Sequence, residues 1–201
     1  MKIMHIPAVQ KINFKLEEKQ IEKLPRRLFL AYSIQYKNLA LSIKKQLSSN
    51  NIKVSDFQQV LGCSKIKTKL PILLISTGKF HVQNLMLQNS EIYILENKKI
   101  TKILPKEIER LRAKRKTAYL KFLKAEKIGI LVSTKQGQEN LKQALKLKKQ
   151  LKKSKEVFIF LTNNLDVNQF ENFNVDSWIN TACPGLSFDN PDIINYYELP
   201  N

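Results

Sequence analysis

Two cysteines are the residues of this chain best suited to chemistry, and they stand far apart. Cys63 lies in Gly62-Cys63-Ser64 and Cys183 in Ala182-Cys183-Pro184, 120 residues apart and one in each half. Each follows a small residue where a strand is expected to give way to a loop. A thiolate is both a nucleophile and a metal ligand. The wide spacing makes neither a local metal loop nor a disulfide framework. It suits thiolates delivered by two domains to one shared site, as in an iron–sulfur cluster. Three cysteines would leave one iron free for a substrate, so two leave a third ligand to be found. The competing reading is two inert buried thiols, because free cysteine packs as a small hydrophobe.

The elements that must position these thiols alternate between strand and helix. Arg27 to Ser33, Leu70 to Ser76 and Glu91 to Leu95 read as strands in the first half. A helix is expected from Tyr36 to Ser48, with Leu39, Ile43 and Leu47 on one face. Another follows Gly78 and carries Val82, Leu85 and Met86. In the second half a helix is expected from Pro105 to Lys127, since proline suits a first helical position. Lys127 to Ser133, Glu156 to Leu161 and Val175 to Asn180 read as strands. A helix over Gln138 to Lys153 should turn Leu141, Ala144, Leu145 and Leu151 inward. This alternation implies small parallel sheets with crossover helices, an α/β class.

A weak internal repeat supports two similar domains. Leu30-Ala31-Tyr32-Ser33 with its helix resembles Ile130-Leu131-Val132-Ser133 with its own, and both helices end in Lys-Lys-Gln-Leu. Residues 26–104 and 105–201 then form the two units. Residues 1–25 read as the remnant of a preceding domain and a linker, with an orphan strand over Lys2 to Val9.

The formal charge is +18, from 35 Lys plus Arg against 17 Asp plus Glu. Such a surface attracts anions, but the charge is spread along the chain and reads as a solvated lysine-rich surface. The densest basic run, Arg110 to Lys116, reads as the outer face of a helix whose inner face holds Ile108, Leu111, Ala118 and Phe122. No aromatic residue is interleaved with it, so direct nucleic-acid binding is not expected. The longest apolar run, Leu70 to Ile75, is too short to span a bilayer. A cytoplasmic protein with reduced thiols is expected.

Four smaller features bear on a site. Gly137 and Gln138 lie between a strand and a helix, where backbone amides can meet an anion or a carboxylate; an ordinary turn is the other reading. Gly129 reads as a packing residue and Trp178 as core. His81 reads as a hydrogen-bonded structural histidine.

Four segments carry a resemblance: Gln59 to Ser64, Gly78 to His81, Gly129 to Gln138, and Asn180 to Pro184. Together they resemble the diphthamide synthase family, the 2-(3-amino-3-carboxypropyl)histidine synthases, over most of residues 26–201. The resemblance implies a pseudo-threefold architecture of three similar α/β domains, each giving one cysteine to a [4Fe-4S] cluster. Cys63 matches the second-domain ligand and Cys183 the third. The first domain and its cysteine have no counterpart here, so the chain resembles the C-terminal two-thirds of the family.

The implied activity is the first step of diphthamide synthesis. S-adenosylmethionine is the substrate, held by the cluster's open iron. Its 3-amino-3-carboxypropyl group passes, as a radical, to a histidine of elongation factor 2. The implied partners are that factor and a chain supplying the first domain and third cysteine, in a dimer or hetero-oligomer. Two departures stand out. Ser76-Thr77-Gly78 lacks the family's acidic residue, and Gly185 replaces an arginine after Cys-Pro. They leave open a non-catalytic partner subunit as the alternative, and a basic nucleic-acid-binding protein as a further one.

Overall fold

Short runs of leucine, isoleucine and valine, too brief for helices and flanked by turns, build a small sheet in each half of the chain. The structure, a computed structural model, describes residues 6, 8–66, 68–89, 91–166, 169, 172–188 and 190–200. It divides into two compact units, Met1–Glu109 and Arg110–Asn201.

In the first unit the sheet order is β2-β1-β3-β4-β5. Strands β1 (Arg27–Tyr32), β2 (Lys53–Gln59), β3 (Ile72–Ile75) and β4 (Ile92–Glu96) are parallel, and β5 (Lys99–Lys102) returns antiparallel to β4. A 3₁₀ turn at Ile34–Tyr36 leads into α2 (Lys37–Ser49), which buries Leu39, Ala40, Ile43 and Leu47. These pack on Leu28, Leu30, Leu73 and Ile75. The alternate residues of β1 and β3 are buried too, as parallel sheets covered on both faces require. Helix α3 (Lys79–Gln88) supplies buried Val82, Leu85 and Met86.

Before β1, α1 (Glu18–Ile21) is flanked by Leu16 and Leu24, which belong to the same core. The Leu16 N–H also donates to Gln46 Oε1 at 2.8 Å. Of the strand expected over Lys2 to Val9, residues 2–5 and 7 lie outside the described residues, and Ile6, Ala8 and Val9 are in no strand.

The second unit repeats the plan. Strands β6 (Lys127–Ser133), β7 (Glu156–Thr162), β8 (Ser177–Asn180) and β9 (Ile193–Asn195) are all parallel, in the order β7-β6-β8-β9. Helix α4 (Pro105–Lys124) and α5 (Leu141–Leu151) lay Ala118, Phe122, Ala144 and Leu147 on Ile128, Ile130 and Val132. The other sheet face carries Leu131, Trp178 and Ile193, with Phe160 packed against them. A single turn, α6 (Gly185–Phe188), stands where the first unit has the ten-residue α3. Among the described residues no helix is long and apolar enough to cross a membrane.

Three expectations need correction. Leu147, not Leu145, faces the core; Leu145 is 54% exposed. The spacing 141, 144, 147, 151 follows one helical stripe, and Leu145 falls off it. Helix α5 starts three residues later than expected, at Leu141, and α4 ends at Lys124 instead of Lys127.

Gly129 on β6 pairs with Trp178 on β8. A Cβ at position 129 would stand 2.4 Å from the indole ring. Gly129→Ala should therefore destabilise the second unit by about 1–3 kcal/mol, the usual range for overpacking. Trp178 is the only tryptophan, so its fluorescence during urea unfolding reads this directly. An unchanged midpoint would mean that the indole is free to shift.

Candidate cysteine site

Parallel sheets place ligands beyond the carboxyl ends of their strands, where the chain order reverses. Here β1 separates β2 from β3, and β6 separates β7 from β8. Both cysteines follow carboxyl ends of these strands. They occupy inequivalent loops, however. Cys63 follows β2, the second strand of its unit, whereas Cys183 follows β8, the third. The internal repeat therefore extends to the elements and not to the thiols.

Cys183 sits on a turn that a buried polar network shapes. The Asn180 side chain accepts from Ala182 N–H at 2.9 Å and donates to the Cys183 carbonyl at 2.8 Å. It also donates to Asn195 Oδ1 at 2.8 Å. Asn195 Nδ2 in turn donates to Ser187 Oγ at 2.6 Å, and that hydroxyl donates to the Pro184 carbonyl at 2.9 Å. Thr181 is tied to the Leu131 carbonyl through Oγ1 at 2.8 Å. Asn180, Thr181, Ser187 and Asn195 are all buried, so each hydrogen bond is made away from competing water. The thiol itself is half-buried and free.

Arg115 closes this network, although its place in the basic run suggested a solvated helix face. It is 7% exposed. Its guanidinium donates to the carbonyls of Ser187 and Ile193, at 2.5 and 2.9 Å. It also grips Glu198 with two bonds, at 3.0 and 2.6 Å. The residues expected to face inward on the same helix, Ile108, Leu111, Ala118 and Phe122, are indeed buried. The signal for Arg115 was its spacing: it lies four residues after Leu111 and three before Ala118, on the apolar stripe.

Cys63 is exposed and free. Its turn is fixed on both sides. Leu61 N–H donates to Ser64 Oγ at 2.8 Å and Ser64 N–H to the Leu61 carbonyl at 3.0 Å. From α3, Asn84 and Gln88 both donate to the Ser64 carbonyl, at 2.7 and 3.1 Å. A Cβ on Gly62 would fall 1.5 Å from Phe80. The segments around Cys63 and around Phe80-His81 thus meet as one packed corner.

The Gly137-Gln138 turn follows β6 and comes to the same sheet edge as Cys183. Gly137 has φ +79°, which glycine tolerates. The Gln138 N–H donates to the Lys135 carbonyl at 3.0 Å, so that amide is already used, while its side chain is exposed. Gly129 packs on Trp178. His81 is half-buried, with Nδ1 3.2 Å from Ser76 Oγ. Gly78, at φ +84°, donates its N–H to Glu96 Oε1 at 3.1 Å. A carboxylate from β4 therefore stands at the segment where Ser76-Thr77-Gly78 lacks an acidic residue. Among the described residues no three His, Cys, Asp or Glu side chains converge as a metal site. Each thiol fits one ligand position, and the two together fall short of a three-cysteine cluster.

A family profile for diphthamide synthesis proteins matches residues 1–200. The 2-(3-amino-3-carboxypropyl)histidine synthase of Pyrococcus horikoshii is 28% identical over 85% of this chain and 54% of its own length. Subunit 1 of the synthase from Nematostella vectensis is 26% identical over 90% of this chain and 40% of its own. A crystal structure of Dph2 from Pyrococcus horikoshii with a 4Fe-4S cluster matches at a TM-score of 0.75 and 27% identity, covering 88% of this chain and 57% of that one. The chain thus spans about half the length of the curated relatives it matches.

Two outcomes follow from this geometry. Arg115→Ala strands Glu198 and two carbonyls, and should cost about 3–5 kcal/mol, as breaking a buried pair does; Trp178 fluorescence in urea reads it. A loss under about 1 kcal/mol would place the guanidinium in water. Burial lowers the His81 pKa below its ordinary value of 6.5. The folded first unit then binds this proton less readily than the unfolded chain. His81 contributes its stability above about pH 6.5, and loses it as pH falls from there through the lowered folded value. His81→Gln should flatten that part of the pH–stability curve, measured by thermal unfolding, and an identical slope in the variant would assign the loss to other groups.

Proposed function

The chain belongs to the diphthamide synthesis protein family, and on that premise we propose that it is one subunit of an iron–sulfur, S-adenosylmethionine-dependent transferase. The reaction moves a 3-amino-3-carboxypropyl group to a histidine of elongation factor 2, in the cytoplasm. The observation that carries this reading is the pair of free thiols. Each stands on a hydrogen-bonded turn at the carboxyl edge of its own sheet.

In this reading Cys63 and Cys183 hold two positions of a [4Fe-4S] cluster, and another polypeptide supplies the first domain and a third cysteine, completing the three-domain arrangement. When bound, the cluster supplies an electron and an open iron for the amino and carboxylate groups of the substrate. The chain's own part is placement. Asn180 fixes the backbone on both sides of Ala182, which limits the volume the Cys183 sulfur can sweep. Asn84, Gln88 and Phe80 do the same for the Cys63 turn. The exposed Gln138 side chain, with the Gly137 turn, contributes to the S-adenosylmethionine pocket. Hydrogen-bonded support behind a ligand is what keeps it oriented toward its metal.

Anaerobic reconstitution with iron and sulfide tests this. The chain should hold a cluster only when mixed with a first-domain protein, giving a [4Fe-4S] signal by electron paramagnetic resonance after reduction. Cys63→Ala or Cys183→Ala should each abolish it. Unchanged iron content in both variants would overturn the ligand assignment. Absence of a cluster in every mixture would favour the non-catalytic partner, the reading that Ser76-Thr77-Gly78 and Gly185 suggest.

A further inference from the structure

The basic charge of the second unit is concentrated on one layer. Helices α4 and α5 pack on the same face of the sheet, because Ala118, Phe122, Ala144 and Leu147 all join Ile128, Ile130 and Val132 in one core. Their opposite faces therefore form the outer surface of that layer. No acidic residue occurs from Arg110 to Lys124 or from Asn140 to Lys155. On α4, Arg110, Arg112, Lys114, Lys116 and Lys124 are exposed. On α5 and its end, Lys142, Lys146, Lys149, Lys152 and Lys153 are exposed as well.

Two neighbouring cations are already committed within the fold. Lys121 pairs with Asp192. Lys155 donates to the Leu123 and Ala125 carbonyls and lies 5.5 Å from the centre of the Phe122 ring. The ten exposed cations named above take part in no ion pair among the described residues. Two helices on one sheet face thus present ten exposed cations, and the exposed acidic residues of α4, Glu107 and Glu109, are confined to the residues before Arg110.

We infer that this face binds the phosphate backbone of double-helical RNA. The cations are mostly lysines, compact point charges suited to phosphate without base readout. Protein interfaces are depleted in lysine, which argues against a protein partner. Tyr119 is half-buried and Phe122 buried, so neither offers a stacking surface for single strands. The buried apolar stripes of both helices are spent on the core, and the leucines left exposed on them, Leu120, Leu123 and Leu145, come with no exposed aromatic residue on either helix to anchor a bilayer surface. The choice of RNA over DNA rests on the proposed function, because RNA is the polyanion of the translation apparatus in which elongation factor 2 works.

The test uses the full chain without a cluster, so its failure is separable from failure of the cluster assignment. The probe is a labelled 20-base-pair RNA duplex of arbitrary sequence, titrated by fluorescence anisotropy at several salt concentrations. A variant with Lys142, Lys146, Lys149, Lys152 and Lys153 each changed to Gln should bind at least tenfold more weakly. Its log–log salt slope should be shallower by about three to four, at close to one unit for each phosphate no longer neutralised. Changing the same five lysines to Arg should retain binding. A control with Lys11, Lys45, Lys53, Lys69 and Lys99 changed to Gln carries the same net charge and should stay within threefold of the unmodified chain. If the α5 variant does not fold, Arg112→Gln with Lys116→Gln and Lys124→Gln provides the comparison from α4, against a control with Lys45, Lys53 and Lys99 changed to Gln. Equal losses in variant and control would reduce the effect to net charge and overturn the inference. Tighter binding to a DNA duplex of equal length, or binding only to anionic vesicles, would overturn it as well.

Discussion

A guanidinium removed from water has to be fully paired, and Arg115 shows what that demand organises. Its five donors cannot be left idle at 7% exposure. Four bonds go to Glu198, Ser187 and Ile193, three residues from three different local elements. Satisfying the charge thus fixes α6, β9 and the 3₁₀ turn at Tyr196–Glu198 against α4. Ser187 then meets Asn195, Asn195 meets Asn180, and Asn180 sets the backbone around Cys183. The position of the thiol is the far end of a chain of hydrogen bonds that begins at a buried charge. A partly satisfied network of this kind is worse than an apolar core, so its members depend on one another.

The first unit reaches a similar end by another route. There α3 is a full helix, and its Asn84 and Gln88 hold the Cys63 turn from outside the sheet. In the second unit the matching connection is the short α6, and no long helix is available to brace a turn. Bracing comes instead from side chains beneath the loop. The two units share strand order at their centres while the thiols leave from different strands, so the repeat constrains the sheet and leaves the loops free to differ. This is the usual division between scaffold and site.

Much of the fold was legible because its central strands are continuous apolar runs. Arg27 to Ser33, Leu70 to Ser76 and Lys127 to Ser133 needed no periodicity argument, only their length and flanking turns. What stayed hidden was polar or brief. Strand β2 reads Lys-Val-Ser-Asp-Phe-Gln-Gln and lies at the sheet edge, where one side needs no burial. Strand β5 is joined to β4 by Asn97 and Lys98, both at positive φ, a hairpin turn that normally announces itself with Asn-Gly. Strand β9 has three residues. At the site, the turns around Cys63 and Cys183 were legible as segments. The partners holding them were not, because Asn84, Asn195 and Arg115 lie 21, 12 and 68 positions away in sequence. Only the fold brings such residues together.

The reading of each cysteine as an inert buried thiol rests on burial, and burial is what Cys63 lacks. An exposed thiol on a turn held by four hydrogen bonds contributes little to a core, so packing alone gives no reason for its placement. Cys183 is half-buried, yet the groups around it that are fully buried are polar and bonded to one another. Polar support beneath an accessible sulfur is the arrangement a ligand needs: the backbone cannot drift, while the sulfur remains reachable.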